Sequence, residues 1–284
     1  MNGRLPTPSE ARIRAALARS PLARRRGEPG VAERWCEETA ARLFDHLDPV
    51  RLEPRWAIDL AMQCGVRDRL ADRFPGARVL SCGYLPSALV RSSSEPGGRH
   101  HGVAASPMRL PLASASVDLL ASNLSLIWFP DLRPVLEEVW RVLRPGGLVA
   151  FTTLGPGTLG ELRQSWKAVD GRPHIIEFAD MHDIGDAMVK AGFADVVMDA
   201  ERITVTWPDT RALLHDLRGL GTGNPLPDRP PGLTTPRRLA AIARACEANR
   251  PDGRISATVE LVHGHGWKPQ ARAEVRFEEF ARTR

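Results

Sequence analysis

The chain lacks any long hydrophobic run. No stretch approaches the roughly 20 uninterrupted apolar residues that a membrane-spanning helix needs, so we expect a soluble protein without a membrane partner. The length of 284 residues suits one α/β enzyme domain with an appended segment that covers its substrate.

Cysteine is scarce and unpaired in sequence. Four cysteines are spread over the chain, with no CxxC pair, no zinc-type spacing and no secretory signal. Reduced thiols in a cytoplasmic protein are therefore expected. His100, His101, His263 and His265 have no cysteine or carboxylate at a ligand-like spacing, so no metal site is expected.

Lysine is also rare: only Lys167, Lys190 and Lys268 are present, and arginine supplies most of the positive charge behind a net +5. A compositional bias and an arginine surface for an acidic partner both explain this. The arginines are scattered without interleaved aromatics, so no nucleic-acid partner is expected.

The first 50 residues form a basic segment with few acids near its start. Arg12, Arg14, Arg19 and residues 24–26 lie in an Ala-rich stretch. That composition fits a mitochondrial transit peptide, or a basic helix that packs over an active site or meets a partner. We favour the second interpretation and expect residues 1–50 to be helical.

Short apolar runs alternate with amphipathic stretches through the first half of the chain. They predict strands at 56–60, 78–81, 103–104, 117–122 and 148–153, and helices at 32–47, 66–74, near Pro86 and at 134–143. A turn is expected at 144–147 and loops at 92–101 and 223–236. The alternation predicts an α/β fold with a mostly parallel, Rossmann-like sheet.

Longer helices follow residue 154, at 160–169, 181–191, 210–220 and 236–249. Strands are predicted at 196–207, with a hairpin as an alternative, and at 255–264. We expect a fold domain at 51–270 with a helical substrate-covering insertion near 208–250, and a tail at 271–284. Trp128, Trp166 and Trp207 are expected to be core anchors.

The expected ligand edge is eroded. Ligands of such sheets bind at the carboxyl ends of the strands, where a glycine-rich loop follows the first strand and an acid ends the second. Here residues 61–65 keep only Gly65, with Ala61 and Gln63 at the other glycine positions. The second strand ends in Gly83 and Tyr84, without an acid.

The region from Leu110 to Phe178 carries a specific resemblance. It contains LPLASASVDL, then SNL, then RVLRPGG and FTTL, followed by Glu161, Trp166 and AVDGRPH; LRGLG at 217–221 and GHGWKP at 264–269 come later. This series resembles S-adenosylmethionine (SAM)-dependent methyltransferases, and in particular the malonyl-acyl-carrier-protein O-methyltransferases of biotin synthesis.

The resemblance implies the class I methyltransferase fold, a seven-stranded mostly parallel sheet with helical additions at both ends. It implies SAM as cofactor, acyl carrier protein bearing a malonyl group as partner, and methylation of the free malonyl carboxylate. No catalytic acid or base is assigned, because the carboxylate is already a nucleophile. The implied cofactor-binding positions are Asp59, Ala61, Gln63, Gly65, Gly83, Ser106, Asn123 and Leu124.

A cationic or hydrogen-bonding group must hold the substrate carboxylate. The candidates are Asn123, Arg163, Arg172 and His174, and the sequence does not choose among them. Arg237, Arg238 and Arg244 on the last predicted helix are a solvated face or a contact for the acidic carrier protein.

Departures from the family pattern keep other functions open. Gly83 replaces the acid that holds the ribose, and Ser106 replaces the acid near the adenine. Losing the ribose acid alone would weaken SAM binding by about tenfold to a hundredfold. The alternatives are a non-catalytic binding protein of the same fold and a relative of complex I assembly factors. The catalytic interpretation requires a nucleoside-sized cleft between the tips of the first two strands.

Overall fold

Seven strands form one sheet in the computed structural model, which describes residues 8–18, 31–62, 64–84, 100–219, 226, 234–247 and 253–270. The strands are β1 (Trp56–Leu60), β2 (Arg78–Gly83), β3 (His100–Ala104), β4 (Val117–Asn123), β5 (Leu143–Leu154), β6 (Ala194–Trp207) and β7 (Ile255–Trp267). Their order is β3–β2–β1–β4–β5–β7–β6. The first five are parallel, and β7 runs antiparallel to both β5 and β6. The predicted fold class is confirmed.

Helices cover both faces of this sheet. They are α1 (Glu10–Ala18), α2 (Val31–Leu47), α3 (Arg67–Arg73), α4 (Arg133–Val142), α5 (Gly160–Val169), α6 (Met181–Lys190), α7 (Thr210–Gly219) and α8 (Pro236–Glu247). Within the described ranges, no helix has the length and apolar character needed to cross a bilayer.

Side-chain alternation along the strands builds the two faces. Ala57 of β1 belongs to the apolar cluster that contains buried residues of α2 and α3, whereas its neighbour Ile58 belongs to the cluster that contains buried residues of α1 and α4. Successive residues of a strand point to opposite faces, so a strand covered on both sides must be apolar throughout. This explains why β1 is a continuous hydrophobic run interrupted only by Asp59.

Most element predictions agree with the structure, and the strand at 56–60 and the helix at 160–169 match to the residue. The predicted turn at 144–147 lies within β5 as an irregularity: the pairing with β4 moves from Val117–Leu143 to Leu119–Leu148, so these four residues loop out of that register. Gly146 adopts a φ of 78°, and its N–H donates to the Lys268 carbonyl at 2.8 Å while Lys268 N–H donates to the Gly147 carbonyl at 2.8 Å. The hairpin alternative at 196–207 is wrong, since β6 is one strand.

Several predicted segments fall outside the described residues. They include the helix near Pro86, most of the loops at 92–101 and 223–236, and the tail at 271–284. His100 and His101, placed in a loop by the sequence, lie in β3, which pairs with β2.

A second, smaller core lies beyond the carboxyl end of β5. Leu154 pairs with Leu261, and the paired ends of β6 and β7 continue past that point. Helices α5, α7 and α8 pack on this extension, and we call these three helices with the strand ends the cap. Trp166 and Trp207 are buried in its core, and Trp128 in the main core, as predicted. The proposed domain boundaries remain a prediction.

Candidate active site

The carboxyl ends of β1 and β4 mark the point where strand order reverses, which is where open α/β sheets bind ligands. Ser125, which follows β4, joins these two ends. Its hydroxyl donates to the Leu60 carbonyl at 2.7 Å and accepts from the Met62 N–H at 3.0 Å. The loop after β1 is therefore drawn back onto the sheet edge.

Asp59 lies inside the protein beneath this loop. Its carboxylate accepts hydrogen bonds from the Val66 N–H and the Ser81 hydroxyl, both at 3.0 Å. A Cβ on Gly65 would lie 2.9 Å from the carboxylate, so glycine at 65 permits the loop to close on Asp59. Burial raises the pKa of Asp59 to about 6, although the two hydrogen bonds oppose that rise. Asp59 holds the loop, and its role in cofactor binding remains a prediction.

The variant Asp59→Asn should change the pH dependence of stability. Because burial raises the pKa of Asp59 from its ordinary value of 3.8 to about 6 in the folded state, the stabilisation from protonated Asp59 is present below pH ~4 and disappears as pH rises through 6. The unaltered chain should lose about 2–3 kcal/mol between these limits relative to Asp59→Asn. Urea unfolding at pH 3.5 to 8 measures this difference, and parallel stability curves for the two proteins would refute it.

Gly83, at the expected ribose position, is pressed against the loop after β1. The Ala61 N–H donates to the Cys82 carbonyl at 2.8 Å, which extends the pairing of β1 with β2. As a result, a Cβ on residue 83 would overlap the Ala61 carbonyl oxygen. Glycine at 83 is a packing requirement of the closed loop, and an acid cannot occupy this position as the backbone stands.

Met62 and Tyr84 fill the space between the tips of β1 and β2. Met62 is 1% and Tyr84 4% exposed, and both belong to the main core. Gln63 lies outside the described residues. The expectation of an open cleft is therefore wrong for this conformation, because apolar side chains gain more from burial against one another than from lining an empty cleft.

Helix α1 contributes to the same closure. Ile13, Ala16 and Leu17 are at most 2% exposed and belong to the same core. Ser106 donates to the Glu10 carboxylate at 3.0 Å, and the Arg14 guanidinium lies 4.7 Å from the centre of the Tyr84 ring. As the structure stands, these residues do not fit a bound nucleoside.

Asn123 and Leu124 are also fixed by internal contacts. The Asn123 amide donates to the Cys36 carbonyl at 2.9 Å, and its oxygen accepts from the Thr152 hydroxyl at 2.6 Å. Leu124 adopts a φ of 53° and is buried next to Cys64. Both polar ends of Asn123 are thus engaged in holding α2 against β4 and β5, and its proposed binding roles remain predictions.

A disulfide joins Cys36 at the start of α2 to Cys64 in the loop after β1. The expectation that all four thiols are reduced is wrong for this pair, whereas Cys82 and Cys246 are free and buried. The fold brings the two Cα atoms to 5.1 Å, a distance that permits a bond. The two cysteines are 28 residues apart in the sequence, so their spacing could not predict the disulfide; only the fold brings α2 next to the loop after β1.

The cationic substrate-binding candidates lie in the cap region. Arg163 donates to the carbonyls of Pro156 and Ile176 at 3.3 Å each. His174 bonds to Asp170 at 2.9 Å, and its ring stacks on Trp166 at 3.7 Å. The backbone N–H of Arg172 donates to the Asp170 carboxylate at 3.2 Å, and the Arg172 side chain is exposed.

The predicted site residues thus fall into three groups. Asp59, Ala61, Gly65, Gly83 and Ser106 lie around the tips of β1 to β3; Asn123 and Leu124 lie beneath α2; and the cationic candidates lie in the cap region. Sequence reasoning missed Glu10 and Ser125, which hold this edge closed. The only available signal was the expectation that a basic helix packs over the active site.

Comparison with known proteins identifies the family. A model described as "Methyltransferase domain" matches residues 62–151. A malonyl-[acyl-carrier protein] O-methyltransferase of Gallionella capsiferriformans is 42% identical over 83% of this chain and 84% of the relative. The chain belongs to the malonyl-[acyl-carrier protein] O-methyltransferase family. Family members from Halorhodospira halophila, at 41% over 86% of each chain, and Laribacter hongkongensis, at 38% over 95% of this chain and 93% of the relative, agree.

Solved structures support the family's fold. YcgJ from Bacillus subtilis superimposes with a TM-score of 0.57 at 12% identity over 83% of this chain and all of that chain. Phosphoethanolamine N-methyltransferase 2 of Haemonchus contortus, in complex with S-adenosylhomocysteine, gives 0.56 at 16% identity over 91% of this chain and 60% of that chain. At such identities the likeness concerns the fold alone.

Proposed function

We propose that this family member is a SAM-dependent O-methyltransferase that acts on the free carboxylate of a malonyl thioester carried by acyl carrier protein. The observation that carries the proposal is the 38–42% identity to malonyl-[acyl-carrier protein] O-methyltransferases over 83–95% of the chain. The partner, the cofactor and a cytoplasmic location are parts of this proposal.

The reaction asks little of protein side chains. SAM, when bound, supplies an activated methyl group, and the malonyl carboxylate is already a nucleophile. The chain's own contribution would be to orient the carboxylate and exclude water. Of the three cationic candidates, Arg172 best suits carboxylate binding, because Arg163 is engaged with two carbonyls and His174 with Asp170.

The direct test is product formation. The purified chain is incubated with methyl-labelled SAM and malonyl-loaded carrier protein, and the label is followed by mass spectrometry of the carrier. We expect a methyl ester on the malonyl carrier and none on an acetyl-loaded carrier, which lacks a free carboxylate. A folded chain that yields no ester, and does not rescue a biotin auxotroph lacking this methyltransferase, would contradict the proposal.

A second candidate is a non-catalytic protein that binds the malonyl carrier without modifying it. The filled edge at Met62 and Tyr84 and the missing acids at Gly83 and Ser106 favour it. This candidate predicts carrier binding without product and without any SAM-dependent shift in melting temperature. The same assay therefore separates the two functions.

A further inference from the structure

The buried side of α1 consists of apolar residues, and these residues are packed in the protein core. Ile13, Ala16 and Leu17 follow helical spacing and lie at most 2% exposed, whereas Ala11, Ala15 and Ala18 are exposed. The buried residues join the core that contains Met62, Tyr84 and Leu110 at the carboxyl edge of the sheet. This side of α1 is therefore packed into the edge as an integral part of its core.

Polar residues of α1 contact the side chains that would otherwise be available to bind a nucleoside. Ser106, at the position of the adenine-side acid, is bonded to Glu10 at 3.0 Å. The Tyr84 hydroxyl lies 3.4 Å from the Ser106 hydroxyl, and the Arg14 guanidinium lies 4.7 Å from the centre of the Tyr84 ring. Arg12 donates to the Leu226 carbonyl at 2.8 Å, which ties α1 to the region between α7 and α8.

We propose that the carboxyl edge of this sheet is a helix-binding groove whose occupant is the chain's own α1, and that α1 and the SAM nucleoside exclude one another. This inference rests on the proposed function, since it concerns the regulation of that same site. When α1 leaves, the Ser106 hydroxyl loses its Glu10 partner and the Tyr84 ring loses its contact with Arg14, so both side chains become available to a ligand.

A lid that covers a bound cofactor would have a different structure. Beneath a lid, the side chains that contact the ligand face a cavity. The lid and these side chains both touch the ligand, and they do not touch each other. Here α1 touches Ser106 and Tyr84 directly, and Gly83 meets the loop after β1 without space for a side chain. The helix therefore takes the place of a ligand.

Tyr84 reports directly on the position of α1, because it is the only tyrosine in the chain. We expect tetranitromethane to nitrate Tyr84 slowly in the unaltered chain and about tenfold faster or more in full-length Leu17→Asp and Ile13→Asp. Ala15→Asp adds the same charge to the exposed side of α1 and should match the unaltered chain. Equal protection of Tyr84 in all four proteins would overturn the proposal.

Calorimetry with S-adenosylhomocysteine tests the exclusion itself. The apparent affinity falls with the fraction of molecules in the binding-competent state, so the Asp variants should bind about tenfold more tightly or better than the unaltered chain and Ala15→Asp. Equal affinity, or no binding to any variant in which Tyr84 is nitrated readily, would overturn the proposal. If circular dichroism shows that the Asp variants are unfolded, the milder Ile13→Ala, Leu17→Ala pair should show the same two shifts with smaller size.

The failure of this inference is distinguishable from that of the proposed function. Tighter S-adenosylhomocysteine binding by the Asp variants without any methyl ester would leave the α1 groove standing and reject the enzyme. If the unaltered chain and the Asp variants formed the methyl ester equally well and bound S-adenosylhomocysteine with equal affinity, the enzyme would be supported and the α1 groove rejected.

Discussion

Introducing an acid at the expected ribose position should damage the protein instead of restoring cofactor binding. Gly83→Asp should destabilise the fold by about 3 kcal/mol or more, because the new Cβ overlaps the Ala61 carbonyl and the carboxylate is buried without a partner. From the sequence alone, restoring glycine at Ala61 and Gln63 together with an acid at Gly83 is expected to strengthen SAM binding if the pocket has merely decayed. Urea unfolding and S-adenosylhomocysteine calorimetry together measure both effects.

Gly76→Asp is the matched control for that experiment. A Cβ on Gly76 would have nothing within 4 Å, so this variant should stay within about 0.5 kcal/mol of the unaltered chain. If Gly83→Asp were as stable as Gly76→Asp and bound the ligand more tightly, the loop after β1 would have to lie away from β2, contrary to the structure.

Replacing Lys268 with methionine should also cause a large loss of stability. The buried ammonium donates to the Trp140 and Leu143 carbonyls at 2.8 and 2.9 Å, and lies 3.8 Å from the centre of the Trp140 ring. It thereby caps the end of α4, where a cation is favoured. Lys268→Met should cost about 2–3 kcal/mol in the free energy of unfolding, measured by urea denaturation.

Lys190→Met removes the same charge from an exposed site. Lys190 makes one ion pair with Asp186 at 3.7 Å, and its side chain is 78% exposed, so a loss of no more than about 0.5 kcal/mol is expected. Equal effects at positions 190 and 268 would show that the cap on α4 contributes little.

The sequence predicted the fold well because its signals are local. Strand 56–60 is a short apolar run and helix 160–169 has a clear amphipathic period, and both match to the residue. The sequence did not predict that the turn residues 144–147 are incorporated into β5, because Gly146 and Gly147 pair with Lys268, more than 100 residues away, and no local pattern reports such a contact.

The state of the site could be predicted only in part. The missing glycines and acids were visible, but their consequence depended on contacts distant in sequence. Glu10 meets Ser106, Cys36 meets Cys64, and Ser125 meets Leu60. The sequence suggested that a basic helix packs over the active site, but it did not indicate that apolar residues of this helix fill the edge.

Some residues that carry the family resemblance are structural. Gly146 and Gly147 pair with Lys268, so the RPGG and GWKP motifs hold one another at the base of β5. Gly157, which lies between the FTTL motif and Glu161, donates its N–H to the Glu260 carboxylate at 2.7 Å, and a Cβ on Gly157 would lie 2.8 Å from that group. These motifs identify the family through packing, and their presence is compatible with a closed cofactor edge.

Amide hydrogen exchange of α1 in the unaltered chain, with and without millimolar S-adenosylhomocysteine, tests the central claim most directly. If the helix occupies the nucleoside's place, the ligand must displace it, and the amides of residues 10–18 should exchange faster as ligand is added. Slower exchange in this segment would mean that α1 closes over the ligand as a lid, and would contradict the account.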